Sequence, residues 1–397
     1  MSSSVPPLLS AEVAERALAL RDLTDPAHGQ HAMQLLLASI ERALAERWRC
    51  AVRVHRASPV VTVADNYDRL RYPPGGAARD ARYTRYLTPA TLLRTHTSAM
   101  VPPLLRQLAA APDEIPADLL LVCPGLVYRR DAIDRLHTGE PHQADLWRLT
   151  RRPPGAPPLG GADLREMVAT VVAAALPGAA WRAVPAEHPY TLDGVQIDVR
   201  PAERADGDAE AWVEVGECGL AHPGILADAG LDPARYSGLA MGLGLDRLLM
   251  LAKGIDDIRL LRSADPRVAA QMLDLAPYRA VSDRPPIRRD LSLAVADERT
   301  PEELGDRVRA ALGERAAQVE AVEVLAETPG AMLPPAAAER LGLRPRQKNV
   351  LVRLTLRDLA RTLTHEEANE LRDIVYAALH EGAAWQWARG SGRALGG

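Results

Sequence analysis

Residues 238–250, GLAMGLGLDRLLM, combine small, apolar and charged residues in an order that can support chemistry. Gly242 and Gly244 interrupt an apolar run, which favours a strand that turns tightly into a helix and lets a planar ligand approach the backbone. Asp246 and Arg247 follow, so Arg247 is expected where the strand meets the helix. Its guanidinium stays ionised and can donate two parallel hydrogen bonds to a polyphosphate. The alternative is a turn with a solvated arginine, since short glycine motifs are weak signals.

Two strand-like runs upstream are joined by a charged loop. Residues 118–128 (DLLLVCPGLVY) have the pattern of a buried strand, and the chain returns from the loop into a second strand-like run. Together they predict a hairpin that carries Arg129, His142, Gln143 and Asp145.

Further elements must position these side chains. Short strand-like runs separated by turns predict an α+β fold with an antiparallel sheet flanked by helices. No alternating βαβ series occurs and no GxGxxG follows a first strand, which argues against a Rossmann fold. The predicted elements are helix 11–48, broken near Asp25-Pro26, strand 51–63, helix 162–176, and strands 180–184, 194–199 and 211–216.

The composition changes around residues 265–285, where proline and charge are frequent, and this change predicts a domain boundary. The order beyond it is β-α-β-β-α-β, the split arrangement of a ferredoxin-like domain. Its predicted elements are strand 288–296, helix 302–313, strand 318–325, strand 349–357, helix 364–380 and a last strand near 383–388.

Composition limits the class of protein. A formal net charge of −4 argues against indiscriminate binding of nucleic acid, so any RNA site must be local. Cys50, Cys123 and Cys218 form no CxxC pair, which argues against a disulfide framework or structural zinc and fits a reducing cytoplasm. The start of the chain lacks the pattern of a signal peptide, and no apolar run could span a bilayer. We expect a soluble, cytoplasmic protein.

Several segments, taken together, resemble signatures of phenylalanyl-tRNA synthetase, a class II aminoacyl-tRNA synthetase, in particular its single-chain organelle type. Their occurrence in the expected order over residues 60–390 is far more specific than any one of them. The segments are NYDRLRYPPGGAARD, LLRTHTS, GLVYRRDAIDRLHTGEPHQAD, WVEVGECGLAHP, GLAMGLGLDR, PPIRRDLSL and RTLTHEEAN.

The resemblance implies an enzyme that activates an amino acid with ATP and Mg²⁺. The helical pattern of residues 11–48 predicts an N-terminal helical segment at 1–50, and the resemblance implies a class II catalytic domain at 51–275 and a ferredoxin-fold anticodon-binding-like domain at 276–397. The expected partners are the amino acid, ATP and tRNA(Phe) or a related tRNA, and the chain is expected to be a monomer or a homodimer.

The expected chemistry is attack of a carboxylate on the α-phosphate, whose transition state is stabilised by preorganised cations. By resemblance, Arg129 would bind the α-phosphate and Arg247 the γ-phosphate. Glu214 would support magnesium and ATP, and Asp131 or His137 would contact the nucleotide.

The amino-acid pocket departs from the family pattern. Asp145 is one methylene shorter than the family's glutamate, and Val101 replaces a family glutamine. His188-Pro189-Tyr190 replaces a run like FPF, in which two phenylalanines face the substrate ring. By resemblance, the residues that contact the amino acid are His96, Ser98, Gln143, Asp145, His188, Tyr190 and Cys218, with Cys218 at the pocket floor.

These departures bear on the substrate. A pocket with unpaired buried donors penalises a purely apolar ligand, so we expect a hydroxylated or otherwise polar aromatic amino acid, or a related nonproteinogenic one, rather than phenylalanine. In the alternative, His188 and Tyr190 stack on phenylalanine through their faces and turn their polar atoms to water. The chain itself contains no phenylalanine. Avoidance of phenylalanine codons, synthesis during phenylalanine shortage and codon bias are three open explanations.

Acceptor and function stay open at this point. Arg284, Arg288, Arg289 and Lys348 are candidate contacts to tRNA phosphates. A tRNA-independent ligase that makes amides from the adenylate, and a noncatalytic RNA-binding regulatory paralogue, are the alternatives to a tRNA ligase. The second alternative is disfavoured because the candidate catalytic residues are all present.

Overall fold

A computed structural model describes residues 7–130, 132–200, 212–281 and 286–385. The chain forms two compact units. Unit 1 comprises residues up to Arg129 together with Gly139–Arg279, and unit 2 comprises Arg130–Thr138 together with the residues from Ala280 onward.

Helices are numbered in chain order. They are α1 (Ala11–Leu18), α2 (Ala32–Trp48), α3 (Val63–Asn66), α4 (Val101–Ala109), α5 (Gly161–Ala175), α6 (Pro223–Asp228), α7 (Leu245–Lys253), α8 (Pro266–Ala269), α9 (Pro301–Leu312), α10 (Pro335–Leu341) and α11 (His365–Leu379).

Strands are numbered in the same way. They are β1 (Ala51–Val54), β2 (Val60–Thr62), β3 (Tyr86–Thr88), β4 (Thr91–Leu93), β5 (Asp118–Leu126), β6 (His142–Arg151), β7 (Ala180–Pro185), β8 (Thr191–Arg200), β9 (Val213–Ala221), β10 (Tyr236–Gly244), β11 (Ile287–Ala296), β12 (Val319–Pro329) and β13 (Gln347–Leu356).

Unit 1 is built on a seven-stranded sheet with the order β1-β5-β6-β10-β9-β8-β7. All neighbouring strands in it are antiparallel except β1 and β5. The antiparallel sheet expected from the sequence is confirmed, and so is the helix predicted at 162–176, which is α5. The prediction of one strand over 51–63 is wrong: β1 and β2 belong to different sheets, because Pro59 cannot donate a backbone hydrogen bond and the run is interrupted there.

The sheet of unit 1 has an apolar interior face. Leu121, Cys123 and Trp147 belong to a buried cluster that also contains Leu104 of α4 and Ile225 of α6. Each such aliphatic side chain contributes about 1.5–3 kcal/mol when it is removed from water. This cluster fixes the sheet against α4 and α6, and it surrounds the polar residues described below.

Unit 2 contains a three-stranded antiparallel sheet with the order β11-β13-β12. Leu291 and Val352 lie opposite each other and are buried with Val308 of α9 and Leu371 of α11. Both helices begin with a threonine and a glutamate that cap each other's backbone, as is typical of strong helix starts. Ile133, from the segment Arg130–Thr138, joins the same core.

The elements predicted for the C-terminal part follow the observed order β11, α9, β12, β13 and α11, with the short helix α10 in the connection. The last strand, predicted near 383–388, is not formed by residues 383–385, and residues 386–388 lie outside the described residues. The backbone N–H of Glu381 donates to the carbonyl oxygen of Ala294 at 2.8 Å, so the chain returns beside β11 after α11.

A buried hydrogen-bonded pair joins the start of β6 to the start of α7. Nδ1 of His142 lies 2.9 Å from Oδ1 of Asp246, and the backbone N–H of His142 donates to the other carboxylate oxygen. Nε2 of His142 accepts from the backbone of Leu23 and from Arg262, at 3.1 and 3.0 Å, so Nδ1 is the ring nitrogen that donates to Asp246. Burial alone would raise the pKa of Asp246, but the interactions with His142 hold it below its usual value.

Replacing Asp246 with alanine removes the acceptor of the buried His142 and the negative charge near Arg262. We expect Asp246→Ala to lower the free energy of unfolding of unit 1 by about 3–5 kcal/mol. Denaturant unfolding followed by tryptophan fluorescence measures this change. Asp290→Ala, which removes an exposed partner of Arg353 in unit 2, is the control and should change stability little. Equal effects of the two substitutions would contradict the structural role of the buried pair.

Candidate active site

The segment 238–250 forms a strand that passes directly into a helix. β10 ends at Gly244 and α7 begins at Leu245, as the sequence predicted. Arg247 lies in the first turn of α7, and its Nη1 donates to the backbone carbonyl of Glu214 at 2.8 Å. The guanidinium is therefore held at the end of the sheet where β10 ends and β9 begins.

Two carboxylates and a glycine form one row across the sheet. Asp145 in β6 lies opposite Gly242 in β10, and Gly242 lies opposite Glu217 in β9. Directly opposite residues in antiparallel strands carry their side chains on the same face. We call the face defined by Asp145, Gly242 and Glu217 the site face.

Small residues form the floor of the site face. Ala240 and Gly219 lie in the row beside Trp147, and Gly244 lies opposite Gln143 in the row nearer the end of the sheet. A Cβ atom on Gly242 would lie 3.8 Å from Oδ2 of Asp145, which is an ordinary contact. The space between the two carboxylates is therefore not filled by protein side chains from β10.

A β-bulge brings Glu214 to the site face. From Glu217 to Glu214 strand β9 advances three residues, while its partner β8 advances two, from Gln196 to Asp198, so Val215 is the extra residue. Gln196 and Asp198 share a face because they are two residues apart, and their partners Glu217 and Glu214 therefore share it too. Bulges re-aim side chains in this way next to active sites.

Asp145 is buried and accepts three hydrogen bonds. Thr97 Oγ1 and Ser98 Oγ donate to its Oδ2 at 2.8 and 3.0 Å, and Trp147 Nε1 donates to its Oδ1 at 3.2 Å. Burial raises the pKa of Asp145 to about 6, the three donors lower it in part, and the charge of Glu217 raises it further. A bound cation would lower the pKa again and favour the ionised carboxylate, so Asp145 is suited to bind a cationic group.

Arg129 and His96 lie close together. Burial and the positive charge of Arg129 lower the pKa of His96 to about 3, so its ring is neutral at pH 7. Within the described residues, neither ring nitrogen of His96 makes a well-aligned hydrogen bond, and the backbone of Asn66 acts on it weakly. Nε of Arg129 is likewise buried without a partner among those residues. A bound ligand would supply the partners that these buried polar atoms lack.

Aromatic rings surround the row of carboxylates. Tyr190 stacks on Trp147 with centroids 6.3 Å apart, and its ring lies 6.3 Å from Tyr72 and 6.1 Å from His188. Tyr72 stacks on His96 at 5.5 Å. Burial raises the pKa of Tyr190 well above its usual value, and the neighbouring acidic groups add to that effect. Both tyrosines therefore keep their hydroxyl protons and can donate hydrogen bonds.

The structure brings eight residues predicted from the sequence to this region of unit 1. Gln143 is half-buried beside Gly125 and Gly244, and no partner of its side-chain amide is found in the described residues. The eight residues are His96, Ser98, Arg129, Gln143, Asp145, His188, Tyr190 and Arg247, and the bulge adds Glu214.

Cys218 does not lie at the pocket floor. It is opposite Met241 and adjacent to Glu217 in β9, so its side chain points to the other face of the sheet. Burial raises the pKa of its thiol to about 12. The prediction that Cys218 lies at the pocket floor is therefore wrong. The sequence alone did not show which side chains of β9 point to the site face.

His137 belongs to the segment Arg130–Thr138 of unit 2, where its Nδ1 lies 2.7 Å from Oδ2 of Asp134. Its expected contact with the nucleotide remains a prediction. Asp131 and Arg284 lie outside the described residues.

The three remaining candidate tRNA contacts do not lie together: Arg288 is on one face of the unit 2 sheet, whereas Arg289 and Lys348 are on the other face at opposite ends of the strands. Arg288 is exposed on the face opposite the core residue Leu291. Arg289 Nε donates to Oδ1 of Asn369 at 2.9 Å, so it contacts α11. Lys348 lies 2.7 Å from Glu327, and its side chain is 13% exposed. The structure therefore does not form one basic patch from these residues.

Four residues near the site were not predicted from the sequence: Tyr72, Thr97, Trp147 and Glu217. Trp147 follows Asp145 by two residues, so strand alternation could have placed it on the same face. Tyr72 lies in a proline- and glycine-rich loop without periodicity. Glu217 is adjacent to the predicted Cys218. Adjacent strand residues point to opposite faces, and the sequence alone does not show which of these two side chains points towards the ligand.

Comparison with known proteins defines the family. A model of the tRNA synthetases class II core domain (F) matches residues 22–272. The chain belongs to this family of class II tRNA synthetase core domains.

Relatives narrow the type of synthetase. The chain is 36% identical over 222 residues to the phenylalanine--tRNA ligase alpha subunit of Prochlorococcus marinus (strain MIT 9313), covering 55% of this chain and 59% of that protein. It is 31% identical over 256 residues to the alpha subunit of Marinobacter nauticus, covering 63% and 72%. The resemblance to phenylalanyl-tRNA synthetase is confirmed, although the chain spans less than two thirds of the length of the first of these relatives.

None of the helices in the described residues is both long and apolar enough to cross a membrane. The described residues contain no group of three or more His, Cys, Asp or Glu side chains that could hold a metal ion.

Adding a methyl group at position 242 tests ligand binding without disturbing the fold. Gly242→Ala fits the protein, so it should leave the melting temperature nearly unchanged, but it occupies the space between Asp145 and Glu217. We expect the KM for the amino acid in ATP-pyrophosphate exchange to rise about tenfold or more, as a misplaced contact in a tight site requires.

Gly216→Ala is the matched substitution in the neighbouring strand. Its Cβ would lie 2.3 Å from the carbonyl oxygen of Gly242, so it should lower the melting temperature. If Gly242→Ala leaves the KM unchanged, the space above Gly242 is not where the amino acid binds.

The titration of Asp145 predicts a pH dependence. Only the ionised carboxylate neutralises an α-ammonium group, so kcat/KM for the amino acid should fall about tenfold per pH unit below about pH 6 and level off above it. The Asp145→Asn variant should have a low kcat/KM that does not fall further below pH 6. A wild-type profile that stays flat down to pH 5 would contradict a role of Asp145 in binding the ammonium group.

Proposed function

We propose that the chain is an aminoacyl-tRNA synthetase that activates an aromatic amino acid with ATP and transfers it to tRNA. The observation that supports this best is the order of charged residues along the strands of the unit 1 sheet. Arg129, Glu214 and Arg247 lie towards one end of the strands, and the buried Asp145 lies two residues further in. The two arginines can bind the phosphates of ATP at that end, and the buried carboxylate can bind the ammonium group of an amino acid beside them.

The reaction follows from that order. The substrate carboxylate attacks the α-phosphorus of ATP, a P–O bond forms, and pyrophosphate leaves with the electrons of the broken P–O bond. Arg129 is proposed to bind the α-phosphate and Arg247 the γ-phosphate, where fixed cations offset the charge of the transition state. Mg²⁺ enters with ATP as part of the substrate, and Glu214 is proposed to support it.

The amino acid would bind through charges at one end and rings at the other. Asp145, together with Ser98 and Gln143, is proposed to bind the α-ammonium group. His188 and Tyr190 would contact the substrate side chain, and both carry polar atoms. A polar aromatic amino acid satisfies these atoms better than phenylalanine does.

Unit 2 is proposed to be a ferredoxin-like anticodon-binding domain within residues 276–397, following an N-terminal helical segment at 1–50 and a catalytic domain at 51–275. The order of β11, α9, β12, β13 and α11 supports it, and Glu381 pairs with the outer edge of β11, where a fourth strand would lie. Arg288 is its candidate phosphate contact. The unpaired cysteines fit a cytoplasmic protein.

ATP-pyrophosphate exchange over a panel of amino acids, with and without tRNA(Phe), tests the proposal. We expect exchange with at least one aromatic amino acid and charging of the tRNA. Arg129→Met and Arg247→Met should each lower kcat by about 10²–10³, because each removes charge stabilisation of the transition state. Arg16→Met, in the exposed pair with Glu12, is the control and should leave the rate unchanged.

Other outcomes separate the alternatives. Exchange without charging of tRNA would favour a ligase that makes an amide in secondary metabolism. No exchange with any amino acid would favour a noncatalytic RNA-binding paralogue. Full activity of both arginine variants would contradict the proposed ATP site.

A further inference from the structure

Glu217 has no role in the activation chemistry described above, although it lies on the site face. Its strand neighbour across β10 is Gly242, and Asp145 lies on the far side of that glycine. The backbones of β6 and β9 are two strand spacings apart, about 10 Å. A ligand whose α-ammonium is bound by Asp145 and which extends across Gly242 would therefore reach Glu217 with its side chain.

Glu217 is held by a single protein contact. Its Oε2 lies 2.8 Å from Nε2 of His188, and within the described residues no second partner of this carboxylate is recorded. The side chain of His188 is 9% exposed, whereas that of Glu217 is 43% exposed. His188 thus fixes the orientation of the carboxylate, and Oε1 remains available as an acceptor.

The surrounding groups show that the charge of Glu217 acts inside the pocket. Burial raises the pKa values of Asp145, Tyr72 and Tyr190, and in each case the negative charge of Glu217 adds to the rise. Ring contacts link the same groups: Tyr190 is near both His188 and Tyr72. Glu217 is therefore a partly exposed carboxylate whose charge acts on the aromatic rings and on Asp145.

We propose that Glu217, oriented by His188, selects an aromatic amino acid whose ring carries a hydrogen-bond donor, a hydroxyl or an amino group. This rests on the proposed function, because the ligand must be the amino acid that the site activates. A donor on the ring replaces the water that Glu217 loses on binding. A phenyl ring removes that water and returns nothing, so the carboxylate rejects it.

Steady-state ATP-pyrophosphate exchange with phenylalanine, tyrosine, 3-hydroxyphenylalanine and 4-aminophenylalanine tests the selection. The wild-type protein should prefer at least one donor-bearing amino acid to phenylalanine by about 100-fold or more in kcat/KM. Glu217→Ala should reduce that preference roughly 10- to 100-fold, because a hydrogen bond to a charged acceptor is lost. The change should appear mainly in the KM for the amino acid, with the KM for ATP unaltered.

Two further variants separate selection from a structural effect. Glu217→Gln keeps an acceptor oxygen and should retain part of the preference. Glu187→Gln makes the same chemical change at an exposed neighbour of His188 and should leave the preference intact. If Glu217→Ala and the wild-type protein discriminate equally, or if the wild-type protein prefers phenylalanine, the inference is overturned.

Thermal shift with each amino acid in the absence of ATP makes the inference testable apart from catalysis. If no amino acid supports exchange but a donor-bearing amino acid raises the melting temperature, and Glu217→Ala abolishes that rise, the proposed function fails and the inference stands. If exchange occurs without any dependence on Glu217, the proposed function stands and the inference fails. If no amino acid supports exchange or raises the melting temperature, both fail.

Discussion

The hydrogen-bonded pair of His142 and Asp246 is the constraint on which the site depends. His142 directly precedes Gln143, and Asp246 directly precedes Arg247, so one buried pair fixes a polar residue of β6 and a cation of α7 in relation to each other. Leu23 and Arg262 occupy the remaining ring nitrogen of His142. The pair is therefore saturated and cannot itself bind a ligand, which leaves the adjacent Gln143 and Arg247 for that purpose.

The register of the sheet converts this local constraint into a site. Once β6 and β10 are paired, Asp145 must lie opposite Gly242, and the pairing of β10 with β9 then brings Glu217 onto the same face. The apolar cluster that packs α4 and α6 against the sheet stabilises this arrangement and contains Trp147, which donates to Asp145. The protein thus tolerates a buried carboxylate at Asp145 because three donors satisfy it and a rigid sheet supports it.

Elements of this fold could be predicted from the sequence where one face of a helix or strand is apolar. The hairpin, α5 and the passage from β10 into α7 follow from periodicity and glycine placement. The direction of individual side chains could not be predicted. The bulge at Val215 reverses the alternation of β9, so that Glu214 and Glu217 share a face and Cys218 points away. Likewise, the core packing of unit 2, rather than composition, directs Arg289 towards α11.

Differences in burial assign different tasks to the two carboxylates of the site face. Asp145 is almost fully buried, accepts three protein hydrogen bonds and has a pKa of about 6, so a fixed cation nearby would lower that pKa and be held firmly in return. Such a carboxylate suits the α-ammonium group, which every amino acid carries. Glu217 is more exposed and has one protein partner, so the free energy of its interaction depends on whether the ligand carries a hydrogen-bond donor. A carboxylate that gains a hydrogen bond from some ligands and not from others can discriminate between them. A carboxylate that binds the ammonium group common to all of them cannot.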